Sequence, residues 1–162
     1  MNPNILSQRY ATSKINYIFS EEGKTRLERK FWLSILKIQK DLGLEIPSEA
    51  ITAYENAVNK IDLDSIKEIE LWTKHDVKAK IEAFCQAAGG FEYIHLGMTS
   101  RDLTDNVEQI QIKQAMNLIF GKYVSVLRHF LEKAEEFKAL ELTARTHHQA
   151  AQPTLLGRRF SM

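Results

Sequence analysis

The sequence contains one cysteine, Cys85, so no intrachain disulfide can form. The chain is therefore compatible with a reducing cytoplasm. Three prolines and seven glycines are all that interrupt 162 residues, and long helices are expected. No stretch approaches the roughly 20 consecutive apolar residues that span a bilayer. Residues Met1 to Ser20 lack a long apolar core, so no signal peptide is expected there. An excess of one charge is missing as well: 22 basic residues stand against 21 acidic ones, a net charge of +1. Such a balance argues against general attraction to nucleic acid or to a membrane surface, and any anion site must be local. There is no phosphate-cradling glycine-rich loop, no G-x-S-x-G elbow, no internal repeat and no low-complexity tract.

What is present suits a folded, soluble chain: 44% hydrophobic and 27% charged residues. Helical spacing of Leu27, Phe31, Ile35, Leu36 and Ile38 predicts a helix over Lys24 to Leu42, which Gly43 can stop as a left-handed cap. Pro47 and Ser48 open a second helix, to about Lys60. A third is expected from Asp64, as its cap, to Leu71. A fourth covers Val77 to Ala88, with Val77, Ile81, Phe84 and Cys85 inward and Gly89 and Gly90 as its stop. Phe91 to Thr99 reads as an extended loop. From Leu103 to Phe137 one helix of about 35 residues, roughly 50 Å long, is expected. That length suggests an elongated bundle shared between subunits. Ala139 to Pro153 reads as a polar connection, and Thr154 to Met162 as the first turns of another helix. The expected fold is all-α: a small N-terminal helical domain over residues 1–100, then the truncated start of a long-helix bundle over 101–162. On this reading the natural protein continues past Met162. In a lone fragment Leu118, Leu127 and Leu131 would be exposed, and self-association is expected.

Four clusters could carry chemistry, each with a plainer alternative. Arg9 and Tyr10 lie in a stretch expected to be poorly ordered. An Arg beside an aromatic can hold a phosphate, or the pair can be a solvated Arg next to a packing Tyr. Lys74, His75 and Asp76 precede the fourth helix, where a cation and a helix N-terminus favour an anion; otherwise Asp76 simply caps the helix. In His95-Leu-Gly-Met-Thr-Ser-Arg-Asp102, Gly97 permits a tight path, and Thr99 and Ser100 offer hydroxyls and N–H groups at the mouth of the long helix. That is a seat for a carboxylate, or a Ser/Thr cap, or both. His147 and His148 are adjacent and so make a poor metal pair, with no cysteine nearby; no metal site is expected. One of them as a proton donor fits the near-neutral titration of imidazole, and a loop histidine without a role is the alternative.

The order of these clusters resembles the fumarase/aspartase superfamily of lyases and, within it, the adenylosuccinate lyase family. The superfamily resemblance rests on Gly97-Met-Thr-Ser-Arg-Asp102 before a long helix, and on Thr146-His147 before Gln149, Pro153 and Gly157. The narrower one rests on Arg9-Tyr10, on Lys74-His75-Asp76-Val77 and on His95-Leu-Gly-Met-Thr-Ser100. It implies a C–N-cleaving β-elimination that releases fumarate from adenylosuccinate and from the succinyl-carboxamide intermediate of purine synthesis, with no metal or organic cofactor. It implies that Arg9, Tyr10, Lys74, His75 and Asp76 bind the nucleotide side, Thr99 and Ser100 the succinyl carboxylate, and that His147 is the general acid. His148 falls on a variable position. A homotetramer in the cytoplasm, with no nucleic-acid or membrane partner, is implied too. The family's base is a serine on a Gly/Ser-rich loop with a Met-Pro-x-Lys-x-Asn pattern, which these 162 residues lack, so this chain alone is expected to be inactive. The alternatives are another lyase of the superfamily, such as argininosuccinate lyase, and a non-catalytic helical interaction module.

Overall fold

The computed structural model describes residues 4–162. Its elements run α1 (Ile5–Arg9), α2 (Ser13–Ile18), α3 (Glu21–Asp41), α4 (Ser48–Ala57), α5 (Leu63–Thr73), α6 (Asp76–Ala87), α7 (Ser100–Glu136), β1 (Glu141–Thr146), β2 (Gln149–Leu155) and α8 (Leu156–Ser161). The chain divides into two units, one ending at Ala115 and the other beginning at Met116, and α7 contributes to both.

Side-chain caps set the helix starts in the first unit. The Asn4 side chain accepts from the Leu6 N–H at 2.9 Å, so the stretch expected to be poorly ordered begins with the short helix α1. Ser20 Oγ accepts from the Gly23 N–H at 3.0 Å, which starts α3 before the expected Lys24. The cap of α5 is Asp62, not Asp64: its Oδ1 accepts from the N–H groups of Asp64 and Ser65 at 3.1 and 3.0 Å. Asp64 lies in the first turn, where its charge still favours the helix dipole.

The inward face of α3 differs from the expected one. Thr25, Glu28, Arg29, Trp32 and Leu36 are buried, Leu27, Phe31 and Ile35 are half-buried, and Ile38 is exposed. Polar partners explain the rotation. Arg29 Nη1 donates to the carbonyls of Ala57 and Lys60, both at 2.8 Å, and its guanidinium lies 4.6 Å from the centre of the Phe84 ring. Glu28 accepts from Lys80 Nζ at 2.8 Å. A buried charge is tolerated only when it is paired or hydrogen-bonded, and these contacts supply that. Burial lowers the Arg29 pKa to about 10, which still leaves it charged at neutral pH. By taking carbonyls at the end of α4, Arg29 also satisfies groups that the helix itself cannot, and α4 ends at Ala57, short of the expected Lys60.

Trp32, Leu36, Tyr54, Phe84, Leu103 and Val107 share one core, with Cys85 inside it as expected. Ile66, Ile69, Ala79 and Ala83 form a smaller cluster between α5 and α6. Helix α7 spans 37 residues, close to the expected length. Leu103, Val107, Gln111 and Ala115 are its buried positions, spaced by four, and all lie in the first unit.

In the second unit the expected polar connection is a β-hairpin. β1 and β2 pair antiparallel, Glu141 opposite Leu155 and Thr146 opposite Gln149, with an irregularity between Thr143 and Arg145. Pro153 has no N–H, but in a two-stranded sheet every strand is an edge, where proline is tolerated. Thr154 and Leu155 close β2 instead of opening a helix, and α8 starts at Leu156. Gly157 allows the close return onto α7: a Cβ there would stand 2.5 Å from the Ala134 carbonyl oxygen. Phe160 packs against Phe130 and Phe137, with ring centres 6.1 and 6.0 Å apart. Apart from this hairpin the described fold is helical, as the sequence predicts.

Candidate active site

The loop between α6 and α7 is the centre of the first unit's polar chemistry. Gly89 and Gly90, with φ of 83° and 89°, end α6 in the left-handed region as expected. An irregular loop must place its backbone polar groups on side chains or water. Here α3 and α4 supply the side chains. Tyr54 OH donates to the Phe91 carbonyl and accepts from the Tyr93 N–H at 3.3 Å. Gln39 Nε2 donates to the Leu96 carbonyl at 2.9 Å. Trp32 Nε1 donates to His95 Nδ1 at 3.0 Å. His95 itself has φ of 65°, a left-handed conformation that is uncommon outside glycine and is enriched at Asn, Asp and His.

His95 lines a cleft of about 500 Å³ with Lys78, Glu82, Cys85 and Glu92 among its neighbours. Desolvation pushes the His95 pKa below its ordinary value; Asp102 works against this and His75 adds to it. Those two influences bring together three segments: the α5–α6 junction, the loop and the first turn of α7. Cys85 is shielded and its thiol pKa is raised, first by burial, which argues against a reactive thiolate.

Lys74 is the left-handed C-cap of α5, with φ of 54°, and its N–H donates to the Glu70 carbonyl at 2.9 Å. It lines a second recess with Lys67, Glu70 and Leu71. The cap of α6 is His75, whose Nδ1 accepts from the Lys78 N–H at 3.4 Å. Asp76 is not the cap; it sits in the first turn, with Oδ1 3.4 Å from His75 Nδ1. Lys74, His75 and Asp76 are all exposed, so their side chains are open to a ligand.

At the start of α7 a capping box is closed. The Thr99 N–H donates to Asp102 Oδ2 at 2.7 Å, and the Asp102 N–H reaches Thr99 Oγ1 at 3.4 Å. The protein's own carboxylate therefore already occupies one donor of the expected seat. A ligand carboxylate would have to use the remaining N–H groups and the hydroxyls of exposed Thr99 and half-buried Ser100.

Arg9 lies in the last turn of α1 and Tyr10 is its C-cap; both are exposed, Tyr10 at 75%. His147 and His148, in the second unit, form the two-residue loop of the hairpin, with φ of 48° and 62°. Both are exposed. Positive φ at both loop positions is the requirement of a type I′ turn, normally met by Asn or Gly. The His148 carbonyl accepts from Arg145 Nη1 at 3.4 Å.

Two residues gained no role from the sequence, Trp32 and His95. His95 stood in a flagged motif, and an imidazole set between the apolar residues Tyr93, Ile94 and Leu96 is the signal that marks it. Nothing in sequence marks Trp32 as its partner, 63 positions away. Among the described residues no three His, Cys, Asp or Glu side chains converge as a metal site, and no helix is long and apolar enough to cross a membrane.

The chain is 37% identical to adenylosuccinate lyase of Methanocaldococcus jannaschii, over 97% of this chain and 35% of that one. It is 37% identical to adenylosuccinate lyase of Saccharomyces cerevisiae, over 97% of this chain and 33% of that one. It thus spans about a third of the length of these curated relatives. The fold matches that of the 3-carboxy-cis,cis-muconate lactonizing enzyme of Pseudomonas putida, with a TM-score of 0.81 and 21% identity, covering 98% of this chain and 38% of that one. It also matches fumarate lyase from Mesorhizobium sp. BNC1, with a TM-score of 0.77 and 22% identity, covering 91% of this chain and 36% of that one. A family model described as lyase matches residues 11–162, nearly the whole chain, and by that match the chain belongs to the lyase family.

Proposed function

We propose that this chain serves adenylosuccinate lyase chemistry: the β-elimination of fumarate from adenylosuccinate and from the succinyl-carboxamide intermediate of purine synthesis. The observation that carries the reading is the 37% identity to two adenylosuccinate lyases over 97% of the chain. The exposed Lys74-His75-Asp76 element and the hydroxyl-bearing mouth of α7 suit a substrate with a phosphate and carboxylates.

In this reading residues 1–100 carry the nucleotide side. Arg9, Tyr10, Lys74, His75 and Asp76 bind the AMP phosphate and sugar, and Thr99 and Ser100 bind the succinyl carboxylate. Residues 101–162 begin the central bundle, and His147 gives its proton to the departing nitrogen. The base takes the proton beside a carboxylate, which then holds the carbanion's charge. In this reading that base is the serine of the family's Met-Pro-x-Lys-x-Asn loop, a pattern these 162 residues do not contain. Positioned cations and N–H groups stabilise the developing charge, so the chemistry needs no metal or organic cofactor. The working assembly is a cytoplasmic homotetramer.

The test joins this chain to the remaining two thirds of the M. jannaschii relative and follows adenylosuccinate by ultraviolet absorbance. Loss of a general acid costs about 10²–10⁴ in rate, so His147→Gln should lower kcat by that factor. His148→Gln should leave it nearly unchanged. A lost hydrogen bond to a charged group is worth about 1.5–3 kcal/mol, so Lys74→Ala should raise KM about tenfold or more. An unaltered KM in Lys74→Ala would contradict the nucleotide-side assignment and favour another lyase of the superfamily.

A further inference from the structure

We infer that Trp32 is a positioning residue: it locks His95 in the neutral form that carries its proton on Nε2, so that the imidazole meets the cleft as a hydrogen-bond donor. The indole N–H can only donate. At 3.0 Å from Trp32 Nε1, His95 Nδ1 must therefore keep its lone pair. A proton on Nδ1 would set two hydrogens against each other, in the other neutral tautomer and in the imidazolium alike. Only the Nε2–H form satisfies the pair.

Neither partner is free to turn away. Trp32 is 1% exposed and stacks near Phe84, with ring centres 6.3 Å apart. Its ring meets the imidazole edge-on, 5.9 Å between centres and 86° between planes. The backbone on either side of His95 is tied down as well, by Tyr54 at Phe91 and Tyr93 and by Gln39 at Leu96. A left-handed residue persists only where its surroundings hold it, and here they do. The fold thus spends a buried tryptophan and an uncommon backbone conformation on the state of one imidazole. An Nε2–H at a cleft suits an oxygen acceptor, such as a carboxylate, a phosphate or a carbonyl. Under the lyase reading that oxygen belongs to the anionic substrate, but the tautomer does not depend on that reading.

The test is the long-range ¹H–¹⁵N spectrum of the histidines in the chain, without substrate, so it can fail while the lyase reading stands. The expected result is one resolved Nε2–H tautomer for His95, with Nδ1 at the shift of an unprotonated nitrogen. In Trp32→Phe, which keeps an aromatic ring but removes the donor, the two nitrogen shifts should move toward each other as tautomers mix. A His95 that carries its proton on Nδ1 in the unaltered chain would overturn the inference. So would a Trp32→Phe spectrum identical to the unaltered one. A second measurement needs no variant. As pH falls, the Trp32 indole N–H resonance should move in step with protonation of His95, with exposed Trp72 as the internal control. Asp102 and His75 are the charged groups that act on His95, and His75 is read in the same spectrum. An indole resonance that stays fixed while His95 titrates would also overturn the inference.

Discussion

The two units of this chain bury their apolar residues very differently. In the unit ending at Ala115, Trp32, Tyr54, Phe84, Leu103 and Val107 are all at 1% exposure or less. In the unit beginning at Met116, Gly157 is the only buried position among the described residues, and Phe120, Leu127 and Leu131 stand at 71%, 59% and 69%. Helix α7 carries the contrast within one element. Up to Ala115 every fourth residue is buried; beyond it, Ile119, Tyr123 and Leu127 continue the spacing and stay exposed. The same helical repeat therefore builds a core in one unit and an open apolar face in the other. The polar chemistry follows the division: His75, His95, Thr99 and Asp102 are fixed on a packed frame, while His147 rides on a two-residue hairpin loop.

Four tests bear on that contrast. The largest effect is expected for Phe84→Ala, which empties the centre of the packed unit and should cost about 3–5 kcal/mol. Leu131→Ala, on the open face, should stay within about 0.5 kcal/mol. Denaturant titration of both variants checks this, and equal losses would abolish the distinction between the units. Next is Gly157→Ala. Its Cβ would meet the Ala134 carbonyl oxygen and the Lys138 N–H too closely, at 2.5 and 2.8 Å, and should cost about 1–3 kcal/mol. Faster amide exchange confined to residues after Met116 is the expected readout.

The third is acid. The folded His95 pKa is depressed, so folding favours the neutral imidazole. Its contribution to stability is complete above the ordinary histidine value of about 6.5 and is lost as pH falls through the lower folded value. Asn tolerates the left-handed backbone without titrating there, so the stability of His95→Asn between about pH 7 and 5 should fall less than that of the unaltered chain. The fourth is His148→Gly, which removes a side chain from a left-handed position. Relief of about 1–2 kcal/mol of left-handed strain, less the ~0.5–1 kcal/mol entropic cost of glycine, should stabilise the hairpin by about 0.5–1 kcal/mol, measured by amide exchange in β1 and β2.

Sequence reading reached those features that local pattern determines. The long helix, the glycine stops at Gly43, Gly89 and Gly90, and the burial of Cys85 follow from spacing and backbone freedom. The buried face of α3 was hidden because Glu28 and Arg29 belong to types that are almost never buried unless paired, and their partners lie on α4 and α6. The hairpin was hidden because its turn is made by two histidines where Asn-Gly would signal it, and because Pro153 stands inside a strand. In the candidate site, the motifs around Lys74, Thr99 and His147 were legible as residue order. The Trp32–His95 contact was not, because only tertiary packing brings positions 63 apart together.

Fumarate release decides whether this chain serves an adenylosuccinate lyase. The chain alone and the chain joined to the remaining two thirds of the M. jannaschii relative are each given adenylosuccinate and argininosuccinate. Fumarate is expected from adenylosuccinate with the joined protein only. Fumarate from the chain alone, or from argininosuccinate in preference to adenylosuccinate, would contradict it.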